Sequence, residues 1–220
     1  MLAATAATRF IGGTVGGWVA QLALWVAMIV PVLLAFRASV PRGLLAWRWV
    51  DLLYGVTLGL MLRVTAGWLE QAATGAAPWP AYPTVDGSLS AGWWAADLVV
   101  PVIVAPPVEE FFFRGMLLVA LYTVFRRLTR TRLVAGIGAA LISTGLFVLL
   151  HQLTGSLGST WDAAATLTLV GLTAATLVLL TGRLWSALIL HVVFNGTYVA
   201  LALAGTLLGV GVGGPALGLG

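Results

Sequence analysis

Long apolar runs separated by short polar breaks fill most of the chain, and their lengths set the predicted elements. Runs extend from about Gly13 to Phe36, Asp51 to Leu69, Pro107 to Phe125, Leu133 to Leu153, Trp161 to Thr181 and Leu184 to Leu208. Each approaches the ~20 residues that a helix needs to cross the hydrocarbon core of a bilayer. A further stretch, WWAADLVVPVIVA at 93–105, is too short to cross comfortably and carries Asp97 and Pro101. It suits a tilted helix, a re-entrant piece or an amphipathic helix lying on the surface. The pattern predicts an all-α, polytopic transmembrane bundle of about six or seven spans.

The same pattern divides the chain. Residues 1–70 read as N-terminal transmembrane helices and 93–208 as a core that carries the chemistry. Between them, 71–92 is an extramembrane loop rich in Pro, Gly and Ser, whose Trp and Tyr suit the membrane interface. Residues 209–220 read as a flexible tail. The first apolar run is too long for a cleavable signal peptide, and no polar mature domain follows it. There is no internal repeat.

Composition fixes the solvent. Hydrophobic residues make up 60% of the 220 positions and charged residues only 8%, which excludes a water-soluble domain of this size. The absence of cysteine excludes a disulfide framework, a thiolate metal site and a cysteine nucleophile. The net charge is +4 and all eleven basic residues are Arg. In a membrane protein that excess reads as topology and lipid-headgroup contact, with no nucleic acid as partner. High Ala, Gly and Arg usage without Lys points to a GC-rich bacterial genome, and so to a multi-pass protein of the bacterial inner membrane.

Arginine also orients the bundle. Arg37, Arg42 and Arg48 share one loop, Arg126, Arg127, Arg130 and Arg132 a second, and Arg183 lies in a third. The positive-inside rule wants all three cytoplasmic. That works if 93–105 does not cross separately, giving six crossings with both termini outside. If it does cross, the first two arginine loops fall on opposite faces. The sequence permits both.

Candidate chemistry comes from ionisable residues inside the spans. A charge at the bilayer centre costs ~2.5–3.5 kcal/mol on insertion scales, so such residues are rare unless they function. Glu109, Glu110, Arg114, His151, His191 and Asn195 all lie in or at the ends of apolar runs, and the two histidines are the only ones in the chain. Glu110 and Arg114 are i and i+4 and share a face, so they can pair. Glu109 lies about 100° around the helix and can point elsewhere. Pro106 and Pro107 suit a helix start, which puts the glutamates near a positive N-terminus. His191 and Asn195 share a stripe, as do Phe147 and His151.

Blander readings accompany each residue. The Glu110–Arg114 pair can simply tie helices together, and His151, His191 or Asn195 alone can be interhelical hydrogen bonds. Arg63 has no nameable partner and reads as snorkelling or structural. Asp97 and Asp162 mark helix starts, and Trp18, Trp93 and Trp94 are interface anchors.

Together these residues resemble a family. EEFFFR at 109–114 is similar to the EExxxR signature of the CPBP family, the CAAX prenyl proteases and bacteriocin-processing proteins. FVLLH at 147–151 is similar to its FxxxH element and HVVFN at 191–195 to its HxxxN element. The trio occurs in the family's order, and the resemblance covers about residues 90–205. It implies an intramembrane endopeptidase, often described as a metalloprotease, with the first Glu of EExxxR as its catalytic carboxylate. Because bacteria generally lack prenylated CAAX proteins, the expected substrate is a membrane-bound protein or peptide, a bacteriocin precursor or a transmembrane regulator.

The residues suit that chemistry. Hydrolysis of a peptide bond needs a general base for water and a stabiliser for the oxyanion. Glu109 is the expected base, with Glu110 held ionised by Arg114. His151 can orient the water, and His191 and Asn195 can donate to the oxyanion. In a metal version, Glu110, His151 and His191 form a two-His, one-Glu Zn2+ set with water in the fourth place. No HExxH helix exists, so such a metal would be gripped from three separate helices. Two other classes use the same residues: a non-proteolytic scaffold or bacteriocin-immunity protein, and a small proton-coupled transporter relaying protons through Glu109, His151 and Asp97. One geometric condition binds all of them. His151 lies late in its span and His191 early in another, so they meet only if the helices are unequal, tilted or broken.

Overall fold

Apolar runs become helices, and the polar breaks become short connections. The computed structural model describes residues 13–75, 79–154 and 160–210. Its helices are α1 (Gly13–Ala38), α2 (Trp49–Thr74), α3 (94–129), α4 (Arg132–Thr154), α5 (Trp161–Thr181) and α6 (Trp185–Leu208). All but α3 are long and apolar enough, by length and composition, to cross a membrane. Large apolar side chains such as Leu22, Leu33, Leu53, Leu180 and Leu207 are exposed on the outside, as a protein solvated by lipid requires. The expected tail lies, from 211 onward, outside the described residues, as do 76–78 of the expected loop.

The stretch 93–105 is not a separate element. Trp94–Val104 and Phe111–Leu118 wind as wider π-type turns, while Ala105–Glu110 and Val119–Thr129 are α-helical. Trp93, Ala105, Phe111 and Val119 at the junctions all keep right-handed helical backbone, so the run is one continuous helix. Prolines explain the winding. Pro101, Pro106 and Pro107 have no N–H to donate, and the wider turn instead joins the Ala105 N–H to the Val100 carbonyl.

A single α3 resolves the arginine question. The N–H of Leu184 donates to Leu44 O (2.8 Å), joining the first and third arginine loops. Leu44, Leu118, Ala139, Val178 and Leu184 share one cluster, against which Tyr122 and Phe125 pack, so the end of α3 and the start of α4 lie there too. All three arginine loops are at one end. Asp51, fully buried, pins that end: Arg183 Nε donates to its two oxygens (3.0 and 2.9 Å), and Ser186 and the Arg48 N–H also donate to it. This ties the start of α2 to the start of α6.

Two glycines bring α2 and α6 together. Gly55 and Gly59, in GVTLG, are buried, and a Cβ on Gly59 would sit 2.8 Å from Leu190 O and 2.9 Å from the Val193 Cβ. Small residues spaced four apart let helices approach this closely where lipid, not water, surrounds them. At the opposite end, the chain after α2 makes a two-residue hairpin, β1 (Thr84–Val85) and β2 (Ser88–Leu89), around Asp86–Gly87, both at positive φ. Trp79 Nε1 donates to Leu201 O (2.9 Å) and the Tyr82 N–H to Thr206 Oγ1 (2.8 Å), seating this loop over the end of α6.

Candidate active site

Adjacent carboxylates on a helix must point to different sides, and Glu109 and Glu110 do. Glu110 faces inward and is fully buried, as is Arg114 one turn on. Arg114 NH1 lies 3.2 Å from Glu110 Oε1. That contact is an ion pair and not a hydrogen bond, since NH1 has no acceptor in line. The guanidinium has further neighbours: NH2 donates to Gly171 O (3.4 Å), and the Phe147 and Phe113 rings lie 4.5 and 5.7 Å from its centre. Phe147 also contacts the His151 ring, with centroids 4.3 Å apart. The aromatic residue of the FxxxH element therefore joins the arginine of one motif to the histidine of its own.

The histidines are set by their Nδ1 atoms. His151 Nδ1 lies 2.9 Å from Phe147 O, which can only accept, so Nδ1 carries the proton of that bond. His191 Nδ1 lies 3.0 Å from Glu110 Oε1, and that carboxylate accepts from it. Both Nε2 atoms face Glu109 Oε2, at 3.7 Å from His151 and 3.9 Å from His191. Glu109 Oε2 is buried and has no hydrogen-bond partner. Two imidazole nitrogens and a carboxylate oxygen thus surround one point.

The condition on depth is met by offset helices. At 1.5 Å per residue, His191 lies about 9 Å from the start of α6 and Phe147 about 22 Å from the start of α4, yet their rings are 6.1 Å apart. The start of α6 is therefore sunk about 13 Å relative to that of α4. Loop 39–48 covers it, with Trp185 Nε1 donating to Leu45 O (2.9 Å).

Asn195 is placed differently from expectation. Its Nδ2 donates to Pro101 O (2.7 Å), so one amide N–H is already taken by α3. The expected metal set is also not formed. Glu110 lies at the Nδ1 edge of His191 and against Arg114, whereas His151 Nε2 faces Glu109 on the other side of the His191 ring. Among the described residues no group of three His, Asp or Glu side chains has the spacing to hold a metal. A Zn2+ on Glu110, His151 and His191 does not fit this arrangement.

A cavity of about 630 Å3 leads to these residues. Glu109, Phe147 and His191 form its floor, and Glu70, Tyr82, Thr154 and Asp162 line it toward the end opposite the arginine loops. Burial, with Asp97 and Tyr198 nearby, pushes the Tyr82 hydroxyl up to about 12, so it stays protonated. Sequence reading missed Arg63 as a member of this wall, although it continues the Gly55–Gly59 face of α2 toward α6, a spacing visible in the sequence.

Residues 91–197 match the family model described as type II CAAX prenyl endopeptidase, Rce1-like. No curated protein and no solved structure matches the chain.

Proposed function

Residues 91–197 belong to the Rce1-like family of type II CAAX prenyl endopeptidases, and on that premise we propose that the chain is an intramembrane endopeptidase in which Glu109 activates water. The observation that carries this is the buried, unpartnered Glu109 Oε2 facing the Nε2 atoms of two imidazoles. A water at Glu109 Oε2 gives one proton to that carboxylate and directs its other O–H to one of the two imidazole Nε2 atoms, which leaves an oxygen lone pair for the scissile carbonyl. Its oxygen adds to the scissile carbonyl carbon as the O–H bond breaks. The second N–H of Asn195, whose first is held by Pro101, is the donor for the oxyanion. Collapse breaks the C–N bond, and Glu109 returns its proton to the leaving amine.

Glu110 takes no proton in this scheme. Arg114 and His191 both stabilise its charge, and its part is to hold the His191 ring. Arginine loops on the cytoplasmic side of a bacterial inner membrane put the cavity mouth toward the outer face. The substrate is then a membrane-associated protein or peptide that reaches the bundle from that side or through the lipid.

The test is Glu109→Gln in purified protein reconstituted into liposomes, assayed on a fluorogenic membrane-anchored peptide. The variant should fold like the parent and lose cleavage by about 10²-fold or more. If Glu109→Gln and His191→Ala both cleave as fast as the parent, the chain is a scaffold and this reading fails.

A further inference from the structure

Two arginines lie inside the helical spans, and their situations differ. Arg114 is fully buried against Glu110. Arg63, in the middle of α2, lines the cavity and has no carboxylate within ion-pair distance, although all seven acids of the chain are among the described residues. Its guanidinium stands 4.8 Å above the Phe194 ring and 5.3 Å from that of Tyr198. Those rings fix the planar group against α6, and among the described residues it is the sole arginine lining the cavity.

We propose that Arg63 is the substrate-binding cation of this cavity and takes a carboxylate of the peptide being cut. The inference rests on the protease reading for the nature of the ligand, a peptide, and on the position of Arg63 for the rest. A guanidinium kept at membrane depth with no acid in ion-pair contact, Glu70 acting on it only at longer range, offers a planar fork of N–H donors that matches a carboxylate. Aromatic faces hold such a group without satisfying its donors. Position adds reach. Phe194 and Tyr198 are three and seven residues beyond His191 on α6, about 5–10 Å along the helix axis. An extended peptide covers that distance in about two to three residues. The carboxylate is therefore either the end of the substrate chain or an Asp or Glu side chain, two or three residues from the bond that breaks. Arg63 lies outside the matched residues 91–197, so this recognition is a property of the N-terminal helices.

The experiment uses the full chain in liposomes and matched pairs of membrane-anchored fluorogenic peptides. One pair differs by a free or amidated C-terminus, and others by Glu or Gln two or three residues from the cleaved bond. The parent should prefer one carboxylate peptide by about 10- to 100-fold in KM, with kcat little changed, and the pair that shows it names the source. Arg63→Gln should cleave both members of that pair alike, and Arg63→Lys should recover part of the preference. If Arg63→Gln folds poorly, the parent against Arg63→Lys still decides, because a merely structural cation shifts both peptides together. Binding is read separately by fluorescence anisotropy in a Glu109→Gln background, with and without Arg63→Gln. Equal handling of every pair by the parent, or equal weakening of both members by Arg63→Gln, overturns the proposal. Selective, Arg63-dependent binding by a chain that cleaves nothing sustains it while the protease reading fails.

Discussion

Asn195 donates to the carbonyl of Pro101 (2.7 Å), the acceptor that Pro106 leaves without a helical donor. In the π-type winding of α3 each N–H reaches five residues back, as the Ala105 N–H does to Val100 O. The next donor in that series would be residue 106, which is proline and has none. The side chain of α6 takes its place, on a carbonyl eight residues before Glu109.

From this follows a role for Asn195 in positioning as well as in chemistry. Asn195→Ala should leave a buried carbonyl unpaired and cost about 1–2 kcal/mol of stability, and cleavage should fall because Glu109 is less firmly held. Asn195→Asp replaces the donor by an acceptor facing another acceptor and should be worse than Ala. Thermal unfolding in detergent beside the cleavage rate checks both. An Asp variant as stable as the parent would remove the bond from this account.

Arg114→Ala strands the fully buried Glu110 carboxylate. Losing one partner of a buried pair costs about 3–5 kcal/mol, a large part of the ~5–15 kcal/mol that holds a typical domain together. The variant should express poorly or unfold early. Adding Glu110→Gln removes the stranded charge, so Arg114→Met with Glu110→Gln should recover folded yield that Arg114→Met alone loses. Size-exclusion yield and unfolding temperature of the two variants decide the matter. No recovery would mean that Arg114 acts mainly through Phe147 and Gly171.

Gly59 tests the spacing of α2 and α6. A methyl there meets Leu190 O at 2.8 Å and Val193 at 2.9 Å, both on the turn of His191. Gly59→Ala should push the helices apart, cost about 1–3 kcal/mol and lower cleavage by displacing His191. Gly67→Ala on the same helix meets nothing within 4 Å and should be neutral or slightly stabilising. Equal behaviour of the two variants in unfolding and cleavage assays would sink the argument.

The sequence made the site legible because an ionisable group in hydrocarbon has few reasons to be there. Glu109, Glu110, Arg114, His151 and His191 stood out against apolar runs, and i,i+4 spacing gave the Glu110–Arg114 face without any tertiary information. The path of α3 was less legible. Proline usually ends a helix, so Pro101, Pro106 and Pro107 read as boundaries. The wider winding and the Asn195 amide, which depend on a helix 94 residues away in sequence, keep it whole. Asp51 and Arg183 were equally opaque, since a pair 132 residues apart leaves no periodic trace. The GVTLG spacing and the Asp86–Gly87 turn were present as local signals but were not read.

The last prediction concerns metal. The sequence offered Zn2+ on Glu110, His151 and His191 as readily as a metal-free mechanism. In the structure Glu110 Oε1 lies 3.2 Å from Arg114 and 3.0 Å from His191 Nδ1, where a positive guanidinium already occupies the side a cation would need. The two imidazole nitrogens of His191 point in different directions, so a carboxylate at Nδ1 cannot share a metal with His151 at Nε2. In the scheme proposed above, where Glu109 alone activates the water, exhaustive chelation should leave cleavage within about twofold of the untreated enzyme, and added Zn2+ should not raise it. The check is the liposome assay after dialysis against a chelator, with metal content read by mass spectrometry. Loss of cleavage that stoichiometric Zn2+ restores would overturn this. The carboxylate ligand would then have to be Glu109, whose Oε2 faces both Nε2 atoms, and Glu110 would serve only to orient His191 from behind.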